Sequence, residues 1–325
     1  MTKHLHYLKH INSLEFKYNL NLLKPLKIGC DNVSINAPIH ALSLINIPFI
    51  YVFHGDNNKT NIKSILANYS PQIIYDNITN RNTMDIPVID VYIASIIYQK
   101  CILENIESSV FYTNFITIKK TNPKFFILEY KKKINMTTNP TFKIIINKLQ
   151  ELTRYNIYFK LLNTQNYGIP QSRNRIYIIG IDKKLDKGFT FPKDIKQDTN
   201  VYDIIDTCET INHNLTLQQQ DLLNDLQTNN LIYDLHKNWS INLNVSNYKK
   251  CNPILNICPC LSNGRRLYLS SIKRHYTTRE YLKLQGFKEF IQVVSDSRFY
   301  KQISDSMSVN VVAFLFKSII STTTL

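Results

Sequence analysis

Glycine is scarce in this chain, with 7 residues in 325. Loops that cradle a phosphate or nucleotide use glycine wherever the backbone must approach closely or turn left-handed, so few segments here can serve that purpose. Long apolar runs are also missing. No uninterrupted stretch of about eighteen apolar residues exists, which by composition excludes a simple membrane-spanning helix. The opening Met1-Thr-Lys-His-Leu-His-Tyr lacks the apolar segment of a secretory leader. Cysteine is thin and scattered, six in all, which makes no disulfide framework and suits a reduced, intracellular protein of nucleus or cytoplasm. Acidic residues are outnumbered: 39 Lys and Arg face 24 Asp and Glu, a formal charge of +15 with a pI near 9.4. Such an excess points to a polyanionic partner, nucleic acid ahead of anionic membrane. The 30 Lys, 9 Arg and 37 Asn also match AT-rich codons, so codon bias competes as a source of the charge.

What is present belongs to a globular protein. Hydrophobic residues make up 44% and charged residues 19%, enough for one large domain or one large and one small. The first 24 residues read as a helix ended by Pro25, with His4, His6 and His10 on an exposed face. From Leu26 to Thr190 apolar runs alternate with amphipathic stretches. Strands are expected at Phe49–Phe53, Val88–Ile93, Phe125–Leu128, Ile157–Leu162 and Ile176–Ile181, and helices at Lys59–Asn68 and Thr141–Thr153. This alternation predicts a doubly wound α/β sheet. From Lys193 the pattern breaks, and residues 195–260 are polar and irregular, as in a second, smaller domain. A helix should start at Thr277-Thr278-Arg279-Glu280 and end at Gly286, and an apolar helix should span Val309–Ile320.

Three late segments are distinctive. Tyr167-Gly168-Ile169-Pro170-Gln171-Ser172-Arg173-Asn174-Arg175 places two arginines at i and i+2, pointing the same way on an extended chain and able to converge on one anion. Thr277-Thr278-Arg279-Glu280 leads to Gly286-Phe287, and Tyr300-Lys-Gln302-Ile-Ser304-Asp305-Ser306 leads to Val309-Asn310-Val311. In order and spacing these resemble three motifs of the cytosine-C5 DNA methyltransferase family, in a small, bacterial-type and divergent form. The resemblance implies a Rossmann-like, S-adenosylmethionine-dependent methyltransferase domain over residues 26–192 and 305–325, after the N-terminal helix of residues 1–25. It also implies a small target-recognition domain and hinge over 193–304. In the family a cytosine is flipped out of duplex DNA, a Cys thiolate adds to its C6, a Glu holds its N3, and C5 takes the methyl group.

Laid on the N-terminal half, the same pattern departs at chosen places. Tyr98 stands where the family has its Cys, and a phenol cannot replace a thiolate at neutral pH. Cys101 lies three residues on. Glu129, at the end of the Phe125–Leu128 strand, matches the acid that holds the base. Asp56 matches the ribose-binding acid and Asn77 falls near the adenine-contacting position. Asn36, Pro38 and Ile39 replace the glycines of the cofactor loop. Ser304-Asp305 replaces a Gly-Asn pair, while Ser306 is kept. The family resemblance thus names S-adenosylmethionine as cofactor but removes its loop and the nucleophile. The expectation is a pseudoenzyme retained for double-stranded DNA or as the non-catalytic subunit of an active methyltransferase. An active enzyme with a rebuilt site, and an interaction module without a DNA role, remain as alternatives. Arg265 and Arg266, with Lys273 and Arg274, form a basic, aromatic-laced stretch suited to DNA phosphates. Cys251, Cys258, Cys260 and His275 lack zinc spacing, and no metal site is expected.

Overall fold

The structure, a computed structural model, describes residues 24–96, 105–130, 138–195, 199–206, 215–261 and 266–324. The expected N-terminal helix lies outside them. Strands and helices then alternate: β1 (Leu26–Asp31), α1 (Ala37–Leu44), β2 (Phe49–Gly55), α2 (Lys59–Asn68), β3 (Ile73–Tyr75), β4 (Val91–Ile96), α3 (Val110–Thr121), β5 (Phe125–Tyr130), α4 (Pro140–Gln150), β6 (Tyr155–Asn163), β7 (Gln171–Ser172) and β8 (Asn174–Asp182). Seven of these strands form one sheet in the order β3-β2-β1-β4-β5-β8-β6. β1 to β5 run parallel, and β8 is antiparallel to both β5 and β6. Central parallel strands covered on both faces need continuous apolar runs. β4 and β5 meet that demand, with every residue buried.

Two expectations shift. The strand placed at Val88–Ile93 runs instead over Val91–Ile96, and Val88 is exposed. Asp90 sets the start: its N–H donates to Lys27 O at 2.8 Å and its Oδ2 accepts the Lys27 N–H at 2.9 Å, which registers β4 against β1. β1 itself, absent from the expected strands, carries Lys27, Gly29 and Asp31 among its apolar residues.

The smaller lobe holds α5 (Leu217–Thr228), β9 (Trp239–Ile241), β10 (Ile254–Leu255), β11 (Cys258–Pro259), β12 (Tyr268–Leu269) and β13 (Arg274–His275). Four of its strands make a sheet ordered β10-β9-β12-β13. Leu222, Leu226, Trp239, Ile241 and Tyr268 give it a core of its own. β11 pairs in parallel with β7, which ties this lobe to the main one. α6 (Thr278–Leu284), α7 (Asp296–Asp305) and α8 (Val309–Ser321) follow. Tyr281, Leu284, Phe299 and Ile303 join the main core beside Ile28, Ile93 and Ile127. α3 and α4 cover the opposite sheet face, around Phe53, Tyr92, Phe126 and Leu128. Among the described residues one stretch, Asp296–Ser321, has the length and mean hydropathy (1.4) of a membrane span, but 89% of its most apolar window is buried inside the protein. It is a core helix pair.

Gly286 ends α6 at φ +86°, and a side chain there would press on Ile169, Val309 and the Asn310 backbone. The helix ends where the sequence pattern placed its glycine.

Candidate functional site

The carboxyl ends of β4 and β5 and the start of β8 bring together polar side chains that the core leaves unsatisfied. Ser95 pairs in register with Glu129, and Glu129 with Tyr177. All three are buried, and Glu129 is fully enclosed. Tyr177 donates its hydroxyl to Glu129 Oε1 at 3.0 Å. Burial, with the Glu129 charge second, pushes the Tyr177 phenol well above its usual range. Among the described residues Glu129 Oε2, Ser95 Oγ, Arg173 Nε and Arg175 Nε have no hydrogen-bond partner. A single buried orphan costs about 1–3 kcal/mol. Four such atoms sit on or beside the ends of these strands.

Arg173 and Arg175 point the same way, as i, i+2 residues on an extended chain do. They converge on a sulfur and not on a shared anion. Arg173 Nη1 and Arg175 Nη2 lie 3.8 Å and 3.6 Å from Cys260 Sγ. Arg173 is fully buried and also donates to Ser304 O at 3.0 Å and Ser306 O at 2.6 Å. It therefore clamps the turn between α7 and α8. Burial, with Arg175 second, lowers its pKa. Arg175 also donates to its neighbour's carbonyl, Asn174 O, at 2.8 Å. The position assigned to the missing nucleophile, Tyr98, lies outside the described residues, as does Cys101.

The cofactor side is built differently. Between β1 and α1 the backbone turns left-handed at Asn32, Ser34 and Asn36, with φ of 54°, 54° and 60°. Asn tolerates this region better than other residues that carry a Cβ. Pro38 and Ile39, expected in the loop, belong instead to the first turn of α1. There Asn36 Oδ1 caps the Ile39 N–H at 3.3 Å, and proline is tolerated because a first-turn N–H has no helical partner. Asn36 also donates to the Tyr51 hydroxyl. Every residue from Cys30 to Pro38 is buried. Asp31, at the end of β1, holds Arg81 in a fully buried two-pronged pair (2.9 and 2.5 Å) and accepts from the Tyr92 hydroxyl at 2.6 Å. Asp56 Oδ1 accepts the Asn58 N–H at 2.8 Å, and Oδ2 accepts Asn61 Nδ2–H at 2.9 Å. Asn77 is exposed, and its Oδ1 closes a local turn with Thr79 and Asn80. Ser306 is buried, and its Oγ has no partner among the described residues.

These residues do not fit S-adenosylmethionine. The acid meant for ribose hydroxyls already serves the start of α2. One first-turn N–H of α1 is lost to Pro38, and the loop has no exposed backbone to offer.

Of the basic stretch, Arg265 lies outside the described residues. Arg266 is half-buried, its guanidinium 5.1 Å from the centre of the Tyr300 ring. Lys273 is exposed on a left-handed turn. Arg274, expected at phosphate, is buried and grips Glu280 with both forks, at 2.9 and 2.7 Å. Its charge closes the capping box of α6, where Thr277 N–H also donates to Glu280 Oε2. Among the described residues no three His, Cys, Asp or Glu gather as a metal would need.

Sequence reasoning missed Cys260 and the Asp31–Arg81 pair. Both meetings join residues 50 or more apart, between 50 and 87 along the chain, and no local pattern carries them.

Comparison with known proteins completes the picture. The sequence model of the C-5 cytosine-specific DNA methylase family matches residues 37–321. The Type II methyltransferase M.SsoII of Shigella sonnei is 29% identical over 306 residues, 87% of this chain and 76% of that protein. M1.ScrFI of Lactococcus lactis subsp. cremoris is 28% identical over 281 residues, 79% and 69% of the two chains. In fold, the crystal structure of a Spodoptera frugiperda DNMT2 variant superposes with a TM-score of 0.64 at 14% identity, covering 90% of this chain and 99% of the other.

Proposed function

Because the chain belongs to the C-5 cytosine-specific DNA methylase family, we propose that it retains the family's hold on double-stranded DNA while methyl transfer from S-adenosylmethionine has been lost. The observation that carries this reading is the closed cofactor side. The loop from Cys30 to Pro38 is buried, and both Asp56 carboxylate oxygens are engaged within the protein. Asp56 is buried, and each of its oxygens already accepts a donor from the start of α2.

The pocket side supports retention of a nucleic-acid partner. Glu129, Arg173 and Arg175 stand together, with buried polar atoms that have no partner among the described residues. The +15 charge supplies long-range attraction. Lys273 offers an exposed cation, and Arg266 is half-buried. Contacts of this kind act on phosphates and set register, not sequence.

The reading is tested in two arms. Duplex DNA affinity should fall steeply with salt, with a logarithmic slope of about 0.9 per phosphate contact. Titration of S-adenosylmethionine by calorimetry should give no saturable heat. Micromolar cofactor binding would overturn the loss of the cofactor. Absence of duplex binding even at low salt would overturn the DNA role.

A further inference from the structure

The polar cluster lies at one end of the main sheet, and a row of cations lies at the other. The order β1-β4-β5-β8-β6 sets five strand ends side by side. Lys27 stands at the start of β1, Lys124 precedes β5, Arg154 precedes β6, and Lys183 and Lys184 follow β8. Backbone bonds join these ends into one row. Asp90 N–H donates to Lys27 O at 2.8 Å, Lys124 N–H to Asp90 O at 2.7 Å, Asp182 N–H to Lys124 O at 2.9 Å and Lys183 N–H to Arg154 O at 3.0 Å. Neighbouring strands stand about 4.8 Å apart, so the row from β1 to β6 runs ~19 Å. α3 ends on the same side, with Lys119 and Lys120 in its last turn just before β5.

The acids of this edge do not cancel the row. Asp90 accepts the Lys27 N–H on Oδ2 at 2.9 Å, and Lys124 Nζ lies 3.2 Å from its Oδ1. Asp182, with 5% of its side chain exposed, holds the Arg154 guanidinium at 2.7 and 2.5 Å. Asp186 accepts from Asn156 and Tyr158 on one oxygen and from the Gly188 and Phe189 N–H groups on the other. Glu151 is exposed but paired with Lys148 at 2.8 Å, and Asp85 accepts from Asn82 at 2.8 Å. What remains turned to solvent is positive. Lys27, Lys119, Lys120, Lys183, Lys184 and Lys187 are exposed, and none of them forms an ion pair among the described residues. Like charges held side by side repel, and a polyanion relieves that repulsion.

We propose that this amino-terminal edge of the sheet is a second surface for duplex DNA, which holds a phosphate backbone without reading its sequence. The inference goes beyond the function proposed above and rests on it only for the choice of DNA as the polyanion. The match is one of charge spacing. Each strand of a duplex carries one phosphate per ~3.4 Å of axis, so a row of ~19 Å passes about five phosphates. Lysine suits such a contact, as a point charge on a flexible stem that meets phosphate and leaves the bases unread. The two ends of the sheet are separated by the length of its strands. β4, with six residues, spans ~20 Å at about 3.3 Å per residue, and its two ends face opposite ways. A straight duplex seated at the polar cluster therefore does not lie on the lysine row, and the chain can hold two duplex segments at once.

The test counts duplexes per chain by sedimentation equilibrium, using the full chain and a duplex of about 12 base pairs, ~40 Å long. Wild type should bind two copies at low salt. An edge variant carries Lys27→Gln, Lys120→Gln, Lys183→Gln and Lys184→Gln together. It should bind one copy, and the summed salt slope should fall by about three to four units, at ~0.9 per lost contact. A control variant carries Lys63→Gln, Lys143→Gln, Lys288→Gln and Lys301→Gln, four exposed lysines on other parts of the surface. It loses the same charge, yet should keep two copies and lose less than about one unit of slope. All eight side chains are exposed, so both variants should fold as wild type does. Equal losses in the two variants would mean lysine spread by composition, with no dedicated face, and would overturn the proposal. So would two copies retained by the edge variant. If that variant instead loses binding to phosphatidylserine vesicles while keeping both duplexes, the edge serves a membrane and the proposal fails. One copy on the wild type refutes this inference alone, and no binding at low salt refutes both readings.

Discussion

Replacing Arg274 with Met removes the guanidinium from a carboxylate that has nowhere else to go. Glu280 is fully buried and both its oxygens are gripped, at 2.7 and 2.9 Å. Breaking one side of a buried pair costs about 3–5 kcal/mol, because the remaining charge is left in a medium that cannot solvate it. The backbone N–H groups of Thr277 and Asp206 still donate to Glu280, at 2.8 and 3.0 Å, which places the loss near the lower end, about 3 kcal/mol. The double variant Arg274→Met with Glu280→Leu removes both charges and should recover most of that loss. Urea unfolding measures this as a lowered midpoint at unchanged slope. The salt dependence of duplex binding, taken on the folded variant, should not move. An Arg274→Met protein of wild-type stability whose binding slope falls by about one unit would refute the reasoning, since that is the behaviour of a phosphate contact.

Acid should destabilise the protein through two histidines. Burial pushes His54 down to about 3, and His40 goes to about 4 through burial first and Lys288 second. Their folded values lie below the unfolded one near 6.5, so the native state binds fewer protons. Their contribution is fully present above about pH 6.5 and is lost as the pH falls toward 4 and 3, at up to ~1.4 kcal/mol per pH unit for each group. His54→Leu should flatten this fall in urea midpoints below pH 6, and an unchanged pH profile would contradict the assignment. Gly55→Ala should lower the unfolding free energy by at least about 2 kcal/mol, read as a lower urea midpoint, since its methyl group would overlap Asp31 Oδ1 and Ile78 and dislodge the Arg81 pair. Wild-type stability in that variant would mean the loop end is looser than described.

The legible parts of this molecule were those written in local periodicity. α2 occupies the expected Lys59–Asn68, and α8 extends the expected Val309–Ile320 by one residue. β1 was hidden because Asp31 reads as a surface residue until Arg81, fifty positions on, neutralises it. Arg274 reads as a cation for phosphate until Glu280 is seen in the capping box of the next helix. Pro38 and Ile39, laid over the glycine loop, fall in the first turn of α1, and the left-handed turns come before them at Asn32, Ser34 and Asn36. Arg173 and Arg175 pointed where their spacing said, yet what they meet, Cys260, comes from a lobe whose pairing with β7 no sequence pattern announces.

The central claim is that a member of a methyltransferase family holds DNA without methylating it. The most direct measurement incubates the purified full chain with duplex DNA and S-adenosylmethionine labelled in its methyl group, then analyses the digested nucleosides. The account predicts duplex binding with no label in 5-methyldeoxycytidine above the protein-free control, because the loop from Cys30 to Pro38 is closed and Asp56 is engaged within the protein. Labelled 5-methyldeoxycytidine that accumulates with protein and time would contradict it.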